Sequence, residues 1–234
     1  MRSFYQENIN SPICELSEEE SKHLVKVLRM TNGDFVEMLN GMGGKYEAQL
    51  IDAHPKRCKL EITKHQEIAK EWGFKLEIAI APTKNPSRME YFVEKAVELG
   101  IDCIHFLSTE NSERSGIKMD RLERIAISAM KQSKKYHKPI IQKTVTFTDF
   151  LEQSESKNLF IAHCNAGEKL SLKSAININE DVCILIGPEG DFTKEEVDLA
   201  LKHKAKPITL GKARLRTETA AIFSVAAVQL INQQ

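Results

Sequence analysis

The sequence contains no apolar run approaching the roughly 18 residues that a membrane-spanning helix needs. Its first residues, Met1 to Glu7, lack the apolar core of a secretion signal, so a cytoplasmic location is expected. No C-x-x-C pair occurs. The five cysteines (Cys14, Cys58, Cys103, Cys164 and Cys183) are scattered and odd in number, which supports neither a disulfide framework nor a zinc site. For four of them a buried free thiol is the plainer reading. The seven histidines form no H-x-x-x-H pair with acidic support, and no metal is expected. Charge of one sign is missing as well: Lys plus Arg and Asp plus Glu number 33 each. That balance argues against a protein that coats nucleic acid through bulk charge, so any such contact needs a local basic patch. Repeats, low-complexity tracts and long linkers are also lacking.

What remains is ordinary globular material: 234 residues, 41% hydrophobic and 28% charged. Its rhythm changes near residue 70, which predicts two domains, 1–70 and 71–234. The first reads as a small β-rich barrel or curled sheet with one helix. Ser17 and Glu20 form a capping-box pattern ahead of a helix over 21–28, with Leu24, Val25 and Leu28 on one face. Strand-like runs follow over 34–39, 45–53 and 57–63, broken at Asn40-Gly41-Met42-Gly43-Gly44 and His54-Pro55-Lys56.

From Trp72 onward, strands and helices alternate, which predicts an α/β domain with a mostly parallel sheet covered on both faces. Strands are expected over 76–81, 101–107, 143–147, 159–162, 182–186 and 207–210. One helix starts at Asn85-Pro86 and ends before Gly100, with Met89, Phe92, Val93, Ala96 and Leu99 as its core stripe. Another covers 121–136.

Two loops carry the chemistry. The apolar strand 182–186 ends in Gly187-Pro188-Glu189-Gly190-Asp191, and Thr193 with Glu196 then forms a second capping box. Strand ends of this kind are where open α/β sheets bind ligands, although a plain tight turn into a capped helix also fits. The second loop, Gly211-Lys212-Ala213-Arg214-Leu215-Arg216-Thr217-Glu218-Thr219-Ala220, leads into a helix that is apolar almost all round. Such a helix belongs inside the fold or against a second subunit. Arg214, Arg216, Thr217 and Glu218 at its mouth need partners. Either they form an internal salt-bridge cluster or they line a ligand site.

Gly187-Pro188-Glu189-Gly190-Asp191-Phe192-Thr193, followed by Leu210-Gly211 and Leu215-Arg216-Thr217-Glu218-Thr219-Ala220, resembles the ribosomal RNA uridine-N3 methyltransferase family of the knotted SPOUT class. His23, Val27-Leu28-Arg29 and Gly33-Asp34 resemble its RNA-binding, PUA-like barrel. Lys84, Glu94 to Gly100 and Ser112 to Ser115 resemble its middle segments. The resemblance implies a trefoil knot in the C-terminal domain, an exception to the rule against threaded loops. It implies S-adenosyl-L-methionine as cofactor, held by Ile186, Gly187, Pro188, Glu189, Gly190, Leu210, Gly211, Leu215, Arg216, Thr217 and Ala220. A homodimer and a small-subunit ribosomal RNA substrate, free or within an assembled subunit, are implied too. Two positions depart from the pattern: Asp191 stands where a second glycine is usual, and Lys134-Lys135 replaces a more typical basic position.

Methylation at uridine N3 requires loss of a proton, hence a base or a stabiliser of the uridine anion. Arg216 and Glu218 are the expected catalytic residues, the first for developing negative charge and the second to accept a proton or to position Arg216. RNA contact is expected from Arg2, Lys22, Lys26, Arg29, Lys84, Arg88, Arg114 and Lys118. The wider 114–138 segment is rich in cations, which also fits a solvated helix face. Three other readings stay open: a non-catalytic RNA-binding or assembly factor, a ribose 2′-O methyltransferase of the same class, and a small-molecule enzyme holding a phosphate at the 187–190 loop.

Overall fold

In the computed structural model, residues 2–112 and 116–233 are described, and the chain divides into two compact units. One comprises Met1–Glu71 with Met130–Lys138, the other Trp72–Ala129 with Pro139–Gln234. Residues 130–138, which sequence places in the second domain, group with the first unit because backbone bonds hold them there. Gly43 N donates to Tyr136 O at 2.9 Å, and Lys138 N to Gly41 O at 2.8 Å.

The first unit is a five-stranded sheet: β1 (Ser3–Tyr5), β2 (Ile13–Glu15), β3 (Phe35–Leu39), β4 (Gly44–Asp52) and β5 (Lys59–Glu67). The order is β1-β3-β4-β5-β2, with only the β1–β3 pair parallel. Register shifts at Glu47/Ala48 and Leu50/Asp52 mark bulges, the device that curls a sheet around its own core. Phe4, Leu24, Val36, Met38, Ala48, Leu50 and Leu60 fill that core. The β3–β4 turn depends on Asn40, whose Oδ1 accepts from Met42 N (2.8 Å) and Gly44 N (2.9 Å). A Cβ at Gly44 would meet Asn40 Nδ2 at 2.6 Å, so a larger residue would push aside the side chain that builds this turn.

Helix α1 (Glu18–Lys22) is shorter than the expected 21–28 span and starts earlier; it continues as a π-helical turn over His23–Val27. Ser17 Oγ caps it by accepting from Glu20 N at 3.3 Å. The reciprocal half of the box is replaced, because the Glu20 carboxylate pairs with Lys131 at 2.7 Å.

Among the described residues the second unit holds eight strands, every pair of them parallel. In chain order they are β6 (Leu76–Ile80), β7 (Cys103–Ser108), β8 (Ile140–Ile141), β9 (Val145–Thr146), β10 (Leu159–Ala162), β11 (Leu170–Ser171), β12 (Val182–Ile186) and β13 (Lys206–Thr209). Their helices are α2 (Pro86–Leu99), α3 (Met119–Ser133, whose last four residues belong to the first unit), α4 (Phe147–Gln153), α5 (Leu172–Ala175), α6 (Lys194–Lys202) and α7 (Thr217–Asn232). The spatial order is β11-β13-β10-β12-β6-β7-β8, with β9 beside β7.

β6 and β12 are buried at every residue, as strands covered on both faces must be. One face, with Ala79, Ile161, Cys183 and Leu185, packs against Phe147, Phe150 and Leu151 of α4 and Val197 and Ala200 of α6. Truncating Ile161 to alanine there would cost about 2–5 kcal/mol. α7 packs on α2 and on β6 and β12. The strand expected over 143–147 is cut short: Thr146 Oγ1 accepts from Asp149 N at 3.1 Å, so Phe147 opens a helix instead.

Candidate active site

The strand order β13-β10-β12 sets three carboxyl-terminal strand ends side by side, and a cavity of about 790 Å³ opens over them. Both loops singled out in the sequence line it. Ile186, Gly187, Pro188, Glu189, Leu210, Gly211, Leu215, Arg216, Thr217 and Ala220 all contribute, whereas Gly190 and Glu218 do not. A third segment, unanticipated from sequence, completes the wall: Ala162 at the end of β10, and His163, Cys164, Asn165 and Lys169 after it. The apolar strand was legible there, but its place between β12 and β13 was not.

The 187–192 loop is heavily bonded. Asp191 N donates to Pro188 O at 3.0 Å, closing the turn. Asp191 takes φ 66°, the left-handed conformation a glycine adopts freely, which accounts for glycine as the usual residue at this position. Its carboxylate offsets that strain by accepting from Phe192 N (2.8 Å) and from Cys164 N (2.7 Å), tying the loop to the end of β10. Asn111 Nδ2 donates to Asp191 O at 3.0 Å and Asn165 Nδ2 to Phe192 O at 3.2 Å. The Thr193–Glu196 capping box then starts α6 with both reciprocal bonds present.

The 210–216 loop is built differently. Thr209 Oγ1 donates to Gly211 O and accepts from Gly211 N, at 3.1 and 3.2 Å. Beyond that, residues 210–215 make no backbone–backbone hydrogen bond to another described residue. Gly211 sits at φ 120°, and Arg216 is the N-cap residue of α7.

Two carboxylates, Glu218 and Glu189, are set against Arg88. Glu218, in the first turn of α7, is buried, and its Oε2 has no hydrogen-bond partner among the described residues. The cation set against it is Arg88 of α2, with Nε 3.8 Å from Glu218 Oε1 and Nη1 3.6 Å from Glu189 Oε1. Glu189 Oε1 also accepts from Lys84 N at 3.2 Å. The internal cluster considered for Arg214, Arg216 and Glu218 is therefore not what forms: Arg214 and Arg216 are exposed. His163 Nδ1 is likewise buried without a partner among the described residues. Desolvation, reinforced by the Lys169 ammonium and opposed by Asp191, holds the imidazole below its ordinary value and so favours its neutral form.

The expected RNA-contacting residues fall in both units. Arg2, Lys22, Lys26 and Arg29 are exposed on the first unit. Lys84, Arg88 and Lys118 belong to the second, and Arg114 lies outside the described residues. The cationic surplus of the 114–138 segment is smaller than its count suggests. Arg121 is bound by Glu90 (2.7 Å from Nη2), Lys131 by Glu20 and Lys135 by Glu71 (2.7 Å).

Comparison with known proteins gives matches over both units. Residues 70–229 match the family described as RNA methyltransferase domain, and residues 16–63 match the RNA methyltransferase PUA domain. The chain is 33% identical over 226 residues to the ribosomal RNA small subunit methyltransferase E of Rickettsia conorii, covering 95% of this chain and 91% of that protein. A probable rRNA-methyltransferase from Porphyromonas gingivalis superposes with a TM-score of 0.93 at 37% identity, covering 99% and 98% of the two chains. The ribosomal RNA small subunit methyltransferase E of Neisseria gonorrhoeae, solved bound to S-adenosyl methionine, has a TM-score of 0.86 at 27% identity, covering 99% and 98%.

Proposed function

This chain belongs to the RNA methyltransferase family with its accompanying PUA domain, and from that membership we propose that it methylates small-subunit (16S) ribosomal RNA at N3 of a uridine. The observation that carries the reading is one cavity walled by the 186–191 loop, the 210–217 segment and the end of β10. The residues present suit S-adenosyl-L-methionine. The volume lies in the range of cofactor pockets, and the backbone of 210–215 keeps N–H and C=O groups free to meet the polar edge of a nucleoside. Ile186 to Glu189 on one side and Leu210, Gly211 and Leu215 to Thr217 on the other would hold it. When bound, that cofactor supplies an electrophilic methyl group. The path of the chain through these loops is read as a trefoil knot.

The protein's own residues then have three tasks. Alignment comes first, from the rigid 187–192 loop. Charge comes second: Arg216 stands exposed at the rim, at the N-cap of α7, where it can orient a phosphate or stabilise the base as N3 gives up its proton. Proton handling is third. Glu218 has Oε1 3.8 Å from Arg88 Nε and Oε2 without a hydrogen-bond partner among the described residues, and it is assigned either to accept the proton or to position Arg216. Arg88 lies against both Glu218 and Glu189 and, with its side chain 31% exposed, is still assigned to RNA contact.

The apolar residues that α7 leaves exposed, Phe223 (46%) and Leu230 (69%), are assigned to the contact between two copies of the chain. Among the described residues no helix is long and apolar enough to cross a membrane. A cytoplasmic place of action, with RNA or an assembled subunit as substrate, fits the reading. Labelled-methyl transfer to small-subunit RNA and to 30S particles lacking the modification tests it, with nucleoside mass spectrometry of the product. N3-methyluridine is the expected product. A ribose-methylated nucleoside, or no transfer to either substrate, overturns the proposal.

A further inference from the structure

The sheet register assembles a second set of reactive side chains, which methyl transfer does not use. Glu77 on β6 lies opposite Cys103 on β7 and Cys183 on β12. The two-residue period of a strand brings His105 to the same face as Cys103. A carboxylate oxygen of Glu77, the Cys103 sulfur and a ring nitrogen of His105 lie within 4.8 Å of one another. Glu77 and Cys103 are only 9% and 3% exposed. His105 is held in place, its Nε2 2.8 Å from Glu77 Oε2 and its ring edge-on to Phe150 at 5.1 Å. Buried O, N and S donors this close are rare unless they are paired or ligating. An open cleft of about 1040 Å³ reaches Glu77 and His105 from solvent, past Lys75 and Gln142.

We propose that Glu77, Cys103 and His105 form a binding site for a divalent transition-metal ion of the zinc type, with water from the cleft as fourth ligand. The donor set is the argument for the ion. A thiolate excludes magnesium and calcium, while one thiolate, one imidazole and one carboxylate suit a borderline-soft ion in a tetrahedral shell with one open position. Binding releases the Cys103 thiol proton to solvent, and the proton on His105 moves to the nitrogen that does not ligate. Lys75 is the built-in competitor. Its ammonium pairs with Glu77, yet its side chain is 57% exposed and can swing into the cleft as the ion enters.

The test uses the full chain with its thiols reduced, titrated with Co(II) and followed by the thiolate-to-cobalt charge-transfer absorption. One equivalent should produce the band, and Zn(II) should abolish it. Cys103→Ser should remove the band, whereas Cys164→Ser, at the exposed cysteine, should leave it intact. Lys75→Met should tighten binding about fivefold, the worth of one ion pair whose lysine is exposed. Should Cys103→Ser fail to fold, His105→Gln decides, with affinity expected to fall by at least about tenfold. No band, a band that survives Cys103→Ser or disappears with Cys164→Ser, or unchanged affinity in His105→Gln would overturn the site.

Discussion

The two loops at the cavity are opposites in construction. Residues 187–192 are held by side chains from three directions: Asn111, Asn165 and Asp191 itself. Residues 210–215 have little beyond the Thr209 hydroxyl, although they begin and end on regular structure. Polar backbone left unbonded beside a cavity is costly unless water or a ligand satisfies it. The first loop is therefore a finished wall, formed by folding alone. The second is a wall with unbonded backbone groups, which in the proposed reading the cofactor satisfies. The two residues proposed for chemistry, Arg216 and Glu218, follow the sparsely bonded loop, and the proposed role of the other loop is shape.

The sharpest test of this division is Arg216→Lys. Lysine keeps the charge but loses the planar fork, so kcat should fall about 10²–10³-fold with cofactor affinity nearly unchanged. Single-turnover kinetics beside calorimetry measures both, and near-normal turnover would remove the sparsely bonded side from catalysis. On the rigid side the expected loss is of stability. Asp191→Ala removes two charge-assisted bonds and keeps the left-handed φ, for a cost of about 2–4 kcal/mol in urea unfolding. Asp191→Gly loses the same bonds but relieves the backbone, and should be less destabilising by about 1 kcal/mol. If the two variants unfold alike, backbone strain at Asp191 is not a factor.

Gly211→Ala probes the sparsely bonded loop in isolation. Its Cβ would meet no atom within 4 Å, but φ 120° is poor for alanine. A cost of about 1–3 kcal/mol should therefore fall on the bound loop, raising the cofactor Kd at least fivefold while the melting curve barely moves. Hydrogen exchange should show amides 212–216 unprotected until S-adenosylhomocysteine is added, and those of Asp191 and Phe192 protected throughout. Equal protection in the free protein would erase the contrast.

The smallest effect is electrostatic. The folded-state pKa of His163 lies below 6.5, so the unfolded chain binds more protons as pH falls through that value. Stability conferred by the neutral ring is full above pH 6.5 and declines below it. His163→Asn should flatten that acid limb of the melting temperature, and an unchanged limb would show that the ring is not its source.

Much of this arrangement was legible in the residues. Asn85 with Pro86, and Thr193 with Glu196, announce helix starts that the structure reproduces, because capping depends on neighbours within one turn. The apolar runs at 159–162 and 182–186 give strands at those residues, because unbroken apolar stretches of that length suit fully buried strands. Local rules failed where a distant partner intervened. Lys131 took the Glu20 carboxylate from its expected capping role, Arg88 rather than Arg216 was set against Glu218, and the Thr146 cap turned a strand into a helix.

By itself, then, the sequence determined the alternation of elements, the two loops at strand ends and the resemblance that proved to mark its family, since each depends on residues close together in the chain. Tertiary structure alone decided that β10 lies between β12 and β13, bringing His163 to the cavity, and that Glu77 meets Cys103 and His105. Strand order is set by how whole faces pack, a balance summed over the sheet that no short window of residues contains.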